Sequence, residues 1–183
     1  RHGYAVIDGA LDAADADAAS PAPALSAALR AEMLALGLGA LQPNNTVLVQ
    51  KEGTVRLEKA NIFEAEVHAL SEEALALGPT FRAVLEERSM LTLLNVLLPP
   101  PSPPAQLHYQ SVKLQINAGH GACFPLHFDS DAELDGRRVT ALTYLNPDWS
   151  QGDGGELVLY PFPHPPVKVA PLMGRVVLFS ATN

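Results

Sequence analysis

The sequence predicts an α+β fold, in which helices and a hairpin come first and short antiparallel strands follow. Apolar residues in the first hundred positions recur at helical spacing. From His108 onward they instead form short β-rich runs separated by Gly, Pro and Asp. The 183 residues are 48% hydrophobic and 17% charged, which is enough apolar material for a packed core. A single globular domain over residues 1–183 is therefore predicted.

The N-terminal part of the chain predicts a strand followed by a helix. Residues 4–9 form a short apolar run, and residues 21–37 carry Ala, Leu and Met at i, i+3 and i+4 spacing. Gly37 and Gly39 end this pattern, because glycine favours helix C-termini. The residues that share the apolar face of the helix are Ala24, Leu25, Ala28, Leu29 and Met33.

A hairpin and a second helical stretch come next. Thr46–Gln50 and Thr54–Leu57 are rich in β-branched residues on either side of a Lys-Glu-Gly turn, which predicts a hairpin near the edge of a sheet. Residues 71–77 and, after a Gly-Pro break, residues 80–98 show helical periodicity.

Short strands are predicted for the rest of the chain. A proline run at residues 99–104 indicates a polyproline-like connector before them. Helices packed against a rolled antiparallel sheet, of jelly-roll or cupin type, fit this order of elements. The predicted strands are Ser111–Asn117, Leu126–Phe128, Val139–Leu145, Glu156–Tyr160 and Gly174–Phe179.

Charge and cysteine content indicate which partners and which cellular location are expected. The net charge of -8 without a basic stripe argues against a nucleic-acid partner and favours a neutral or basic substrate. Cys123 is the single cysteine, so no intrachain disulfide can form, and a reducing, cytoplasmic location is expected. No apolar run is long enough to span a bilayer, and no membrane partner is expected. Because the sequence starts at Arg1, we expect a piece of a longer protein, in which an upstream targeting signal would change this location.

His127 and Asp129 are the residues that first indicate chemistry. Side chains at i and i+2 of a strand point to the same face, so this imidazole and this carboxylate can converge on one metal ion. The pattern alone is weak, because a His and an Asp two positions apart are commonly surface groups. Its value depends on the residues around it.

Four motifs in order surround this pair. They are Leu114–Asn117, Gly119–Asp129, Arg138–Trp149 and Asp153–Leu157. Together they resemble the iron(II) and 2-oxoglutarate dependent oxygenases, specifically the prolyl 4-hydroxylase-like branch. The resemblance covers about residues 108–183, with a weaker match in the N-terminal helices.

The resemblance implies a dioxygenase that hydroxylates a side chain, with a prolyl residue of a protein or peptide as the expected target. Fe(II) is the implied metal and dioxygen the oxidant, with 2-oxoglutarate as co-substrate and ascorbate as a candidate further cofactor. His127 and Asp129 would bind iron, Tyr144 would donate its hydroxyl to the co-substrate carboxylate, and Leu157 and Leu142 would line the co-substrate pocket. Residues 108–183 would be an incomplete double-stranded β-helix core, with residues 1–107 as helical and edge-strand support.

The resemblance also implies groups that residues 1–183 do not supply. In the family, a distal His and a Lys or Arg for the far carboxylate of 2-oxoglutarate follow the strand represented by Gly174–Phe179. Both groups, and a final strand, are expected just beyond Asn183. The second interpretation is therefore a truncated or degenerate β-helix domain that serves as a non-catalytic binding or scaffold module. The oligomeric state is left open.

Several of these residues also have structural interpretations. Tyr144 can equally be a core tyrosine whose hydroxyl donates to a backbone carbonyl, and apolar strand residues such as Leu142 and Leu157 are more often plain core. His164 is expected in an exposed loop, and His120 near the mouth of the site rather than on the metal. Cys123 is expected to be a small buried apolar group. Lys113 and Arg175 are expected on strands, but the sequence does not fix which face of the sheet their side chains occupy.

Overall fold

The computed structural model describes residues 3–12, 24–98, 106–130 and 135–182. Helices and antiparallel sheets are both present, so the predicted α+β composition is confirmed. The elements in chain order are β1 (Tyr4–Ile7), α1 (Leu25–Leu36), β2 (Gln42–Gln50), β3 (Gly53–Glu66), α2 (Glu72–Leu77), α3 (Pro79–Glu86), α4 (Ser89–Leu97), β4 (Lys113–Asn117), β5 (Val139–Thr143), β6 (Leu157–Leu159), β7 (Val167–Val169) and β8 (Val176–Ser180).

The chain divides into two compact units. The first unit comprises residues 1–30 and 126–183, and the second unit residues 31–125. The single domain inferred from the sequence stays a prediction. Within the described ranges, no helix is long and apolar enough to cross a bilayer.

The first unit is built on a three-stranded antiparallel sheet in the order β1-β8-β5. The central strand, β8, carries two valines that are almost completely buried, Val176 and Val177. Alternation along β5 places Thr140 and Leu142 on one face, and their partners across the ladder are Phe179 and Val177. The strands β6 and β7 form a separate two-stranded ribbon.

The second unit contains the sheet β2-β3-β4 and helices α2 to α4. The predicted hairpin is confirmed, although β3 continues to Glu66 and is the middle strand of its sheet. Helix α3 starts with Pro79, and its free backbone N–H groups at Thr80 and Phe81 donate to the carboxylate of Glu32 over 2.8 to 3.0 Å. This carboxylate acts as a cap from outside the helix, because the preceding Gly78 has no side chain to do so.

Two predicted elements differ from the structure, and one strand was not predicted. Residues 126–128 are not a strand, because their backbone forms no ladder with another strand in the described part of the chain. The helical pattern of residues 80–98 breaks at Glu87, whose carboxylate accepts from the backbone and hydroxyl of Ser89 and thereby starts α4. Strand β7 was missed, since it is only three residues long. The proline connector at 99–104 lies outside the described residues.

Candidate active site

His127 and Asp129 lie in irregular backbone between β4 and β5, and their side chains nevertheless come together. His127 Nε2 is 3.2 Å from Asp129 Oδ1. The two side chains are 47% and 22% exposed, so both are partly accessible to a ligand. The strand that was predicted for these two residues is absent. A loop backbone instead brings the imidazole and the carboxylate together.

Asp129 is held in place from β5. The hydroxyl of Thr140 donates to Asp129 Oδ2 over 2.6 Å, and Arg137 Nη1 donates to the backbone carbonyl of Asp129 over 3.0 Å. One carboxylate oxygen is therefore occupied by a neighbouring hydroxyl, while the other faces the imidazole. A carboxylate bonded in this manner is oriented to bind a metal through its second oxygen.

The donor set fits part of an octahedral metal site. Two donors at neighbouring corners of an octahedron, each about 2.1 Å from the ion, are about 3 Å apart. The 3.2 Å separation of Nε2 and Oδ1 agrees with this spacing. Imidazole with one carboxylate is also a ligand combination that suits Fe(II). No group of three or more His, Cys, Asp or Glu side chains that could hold a metal is found in the segments described.

Tyr144 follows directly after β5 and continues its ladder. Its backbone N–H donates to the carbonyl of Arg175 over 3.0 Å, and its carbonyl accepts from the backbone N–H of Gly174 over 2.9 Å. Burial raises the pKa of the Tyr144 hydroxyl to about 12, while the nearby positive charge of Arg175 acts in the opposite direction. The hydroxyl therefore keeps its proton at neutral pH. It forms no hydrogen bond with any described residue, so the backbone-carbonyl partner considered from the sequence is not seen.

The face of β5 that carries Thr140 links the metal pair to Tyr144. Thr140, Leu142 and Tyr144 alternate along the chain, so they project from the same side of the sheet. The first and last of them are separated by about 13 Å at the usual rise of a strand. Leu142 is half-buried and lies between Thr140 and Tyr144. The hydroxyl of Thr140 donates to Asp129.

Leu157 is placed elsewhere in the first unit. It lies on β6 opposite Val169 and is half-buried. Its contribution to a co-substrate pocket stays a prediction.

Other candidates have identifiable positions. Cys123 is exposed, so the interpretation as a buried apolar group was wrong. His164 is exposed in the loop between β6 and β7, as expected. His120 is exposed, and its carbonyl accepts from Asn61 Nδ2 over 3.1 Å. Lys113 Nζ pairs with Glu64 and Glu66 at 3.3 and 3.5 Å.

Thr140, a polar residue beside the candidate site, was missed by sequence reasoning, whereas Arg175 was named from the sequence without its side of the strand being fixed. Thr140 contacts Asp129, and Arg175 lies across the ladder from Tyr144. The alternation of Thr140, Leu142 and Tyr144 was a usable signal for the first. The position of Arg175 required the strand pairing.

The chain is similar to a known protein family and to several solved structures. Residues 112–183 match the family model described as the 2OG-Fe(II) oxygenase superfamily. No curated protein matches the sequence. A solved structure of prolyl 4-hydroxylases from Phytophthora capsici is 33% identical with a TM-score of 0.73, covering 98% of this chain and 51% of that one. The chain thus spans about half the length of that relative.

Two further solved structures are less similar in sequence. A prolyl hydroxylase in complex with a hypoxia inducible factor oxygen degradation domain peptide fragment, from Trichoplax adhaerens, is 22% identical with a TM-score of 0.73, covering 100% of this chain and 74% of that one. A Pseudomonas putida prolyl-4-hydroxylase is 19% identical with a TM-score of 0.58, covering 100% and 82%. At these identities the likeness concerns the fold. Together with the family match, these structures confirm the resemblance to 2OG-Fe(II) oxygenases of the prolyl hydroxylase-like type, for which Fe(II) and 2-oxoglutarate are the implied metal and co-substrate.

Proposed function

We propose that this chain, similar to the 2OG-Fe(II) oxygenases, contributes two iron ligands and part of the co-substrate site to a dioxygenase that hydroxylates a prolyl side chain in a protein or peptide. The observation that carries the proposal is the His127–Asp129 pair, with Nε2 and Oδ1 3.2 Å apart and Thr140 bonded to the other carboxylate oxygen. The match of residues 112–183 to the family model supports it.

Each residue has a definite task in this proposal. When bound, Fe(II) with 2-oxoglutarate and dioxygen supplies the oxidation that hydroxylates a C–H bond and leaves succinate and carbon dioxide. His127 Nε2 and Asp129 Oδ1 would hold the metal, and Thr140 keeps the carboxylate oriented. Tyr144 would donate its hydroxyl to a co-substrate carboxylate, and burial, which raises the pKa of this hydroxyl to about 12, favours the protonated donor form further. Leu142, between the two polar positions, would form an apolar floor, and Leu157 a further wall.

The fold of the complete core, the prolyl target and the remaining ligands are each proposed on a separate basis. The fold proposed for the complete core is a double-stranded β-helix, supported by the antiparallel β5-β8 and β6-β7 pairings. A prolyl target is supported by the three similar solved structures, all of which are prolyl hydroxylases. The third iron ligand and a basic partner for the far carboxylate are proposed to come from residues beyond 1–183.

A second function remains a candidate on a specific observation. In the described segments only two ligand side chains converge, as His127 and Asp129, and a third is needed for a facial triad. A degenerate β-helix domain acting as a binding or scaffold module would show this arrangement. It would bind neither Fe(II) nor 2-oxoglutarate stoichiometrically.

Succinate release tests the proposal. The natural protein, supplied with Fe(II), 2-oxoglutarate and a panel of proline-bearing peptides, should release succinate and add one oxygen to a peptide, detected by mass spectrometry. His127→Ala should abolish both signals, whereas His164→Ala, which removes an exposed loop imidazole, should retain them. Undiminished succinate release by His127→Ala would sink the assignment, and absence of release by the unaltered protein would favour the scaffold function.

A further inference from the structure

We propose that Arg175, anchored by Asp8, is a positioning residue of the co-substrate site that supplies positive charge beside Tyr144 for an anionic carboxylate. This proposal rests on the proposed function, because its ligand is the dicarboxylate co-substrate. It adds a cation, from the residue directly before β8, to the basic residue that the resemblance implies elsewhere. Asp8, Tyr144 and Arg175 all belong to the first unit.

The backbone fixes Arg175 opposite Tyr144. Gly174 has a φ of 73°, its N–H donates to the carbonyl of Tyr144, and the N–H of Tyr144 donates to the carbonyl of Arg175. This is the pattern of a G1 β-bulge, in which a glycine in the left-handed region and the next residue together oppose one residue of the partner strand. Bulges of this kind redirect a side chain near a site. Here the redirected side chain is that of Arg175.

The guanidinium of Arg175 is held at three points. Nε and Nη2 donate to Oδ1 and Oδ2 of Asp8 over 2.6 and 2.9 Å, and Nη1 donates to the carbonyl of Ala170 over 3.0 Å. A guanidinium has five N–H groups, so two are left without a partner in the described part of the chain. A fork bonded in this way is fixed before any ligand arrives.

The ion pair is asymmetric in burial. The side chain of Arg175 is 16% exposed and that of Asp8 67% exposed. Water therefore screens the aspartate charge much more than the arginine charge, and a positive potential persists on the side of Tyr144. In agreement with this geometry, the charge of Arg175 lowers the pKa of Tyr144 against the larger effect of burial.

The positive potential of Arg175 would strengthen the binding of a dicarboxylate at Tyr144. A carboxylate that leaves water needs charged or hydrogen-bonding partners, and a tyrosine hydroxyl alone supplies one donor and no charge. The backbone of Arg175 lies opposite Tyr144 on the ladder, and its charge is close enough to act on the Tyr144 hydroxyl. Removing it should weaken co-substrate affinity more than turnover at saturating co-substrate.

Calorimetry with 2-oxoglutarate and the Mn(II)-loaded natural protein tests the role directly. Arg175→Met should weaken the affinity about tenfold or more, the usual scale for a charge-assisted contact. Arg175→Lys should recover part of it, because the charge returns without the fork. Asp8→Asn keeps one acceptor for Nε but places an NH2 group against the Nη2 donor, so it loosens the fork while the positive charge stays. Its affinity should therefore lie between those of Arg175→Met and the unaltered protein.

Controls separate this role from general effects. Lys168→Met removes the same charge from an exposed position on β7 and should leave the affinity within about twofold. Combining Arg175→Met with Tyr144→Phe should cost less than the sum of the two single changes, because the two side chains act on one carboxylate.

The contrary outcomes are distinct. If Arg175 serves only to tie β8 to β1, Arg175→Met and Asp8→Asn should lower the thermal midpoint similarly and leave 2-oxoglutarate affinity unchanged, which overturns the proposal. If Arg175→Met does not fold, an unchanged 2-oxoglutarate affinity in both Arg175→Lys and Asp8→Asn contradicts the proposed role. No binding of 2-oxoglutarate by the unaltered Mn(II) protein would defeat the proposed function itself, and this proposal with it.

Discussion

At the scale of single residues, Asp129 shows how a loop carboxylate acquires a fixed orientation. Its Oδ2 accepts a 2.6 Å hydrogen bond from Thr140, and Arg137 donates to its backbone carbonyl. The remaining oxygen, Oδ1, is then directed to His127. A metal binding between these two atoms would meet donors that need little rearrangement.

Thr140→Val should weaken metal binding because it removes the hydroxyl that orients Asp129. Loss of such an outer contact typically costs about tenfold or more in metal affinity. Mn(II) titration of the natural protein would measure the effect. Thr143→Val, on the opposite face of the same strand, is the matched control and should bind Mn(II) normally. Equal affinity in Thr140→Val and Thr143→Val would show that the hydroxyl has no orienting role.

The sequence predicted residue contacts that depend on local spacing, but not contacts that depend on how distant segments meet. The convergence of His127 and Asp129 was predicted from their spacing of two residues, although the strand assumed for them is absent. Their role as iron ligands stays a prediction. Thr140 was not found, because its contact depends on how a loop meets β5. Cys123 was assigned to the interior from its apolar neighbours, but local composition does not determine which side of a loop faces solvent.

At the scale of elements, the G1 bulge at the start of β8 connects the stability of the sheet to the site. Gly174 adopts a φ of 73°, and a Cβ built there would be 2.5 Å from Asp12 Oδ2. That carboxylate already accepts from the backbone and hydroxyl of Ser26 in α1, so it cannot move without losing those bonds. Glycine is required at this position for both reasons.

Gly174→Ala should therefore destabilise the protein by about 2 kcal/mol or more, combining left-handed strain with the clash at Asp12. Urea unfolding would measure the change. Gly154→Ala is the matched control, since its φ is 78° and a Cβ there meets nothing within 4 Å, so only the strain of about 1 kcal/mol should appear. Similar losses in both variants would mean that the contact with Asp12 contributes nothing.

Elements were predictable where the signal is local. The α1 periodicity, the β2-β3 hairpin and the apolar runs of β5 and β8 lie within short windows, and each was located. The segment 126–128 looked like a strand, yet a strand needs hydrogen-bonding partners that composition does not reveal. The break before α4 follows from the Glu87 contacts with Ser89, which a helical pattern does not show.

At the scale of the whole molecule, the described site residues fall in the first unit, which joins the chain's beginning to its C-terminal part. Asp8 and Arg175 are 167 positions apart and form a bidentate ion pair. Helix and strand content could be anticipated from periodicity. This pairing could not, because only the β1-β8 register brings the two charges together.

Ligand binding should stabilise the fold through this unit. A metal present at 100 times its dissociation constant raises the free energy of unfolding by about 2.7 kcal/mol if the unfolded chain does not bind it, which corresponds to roughly 5–10 °C in the thermal midpoint. We expect Mn(II) to produce such a shift in the natural protein, and 2-oxoglutarate to add to it only when Mn(II) is present, because the proposed co-substrate site includes the metal. Asp129→Ala should remove both shifts. The exposed-carboxylate control Asp148→Ala should preserve them, and a shift that survives in Asp129→Ala would place the metal away from the pair with His127.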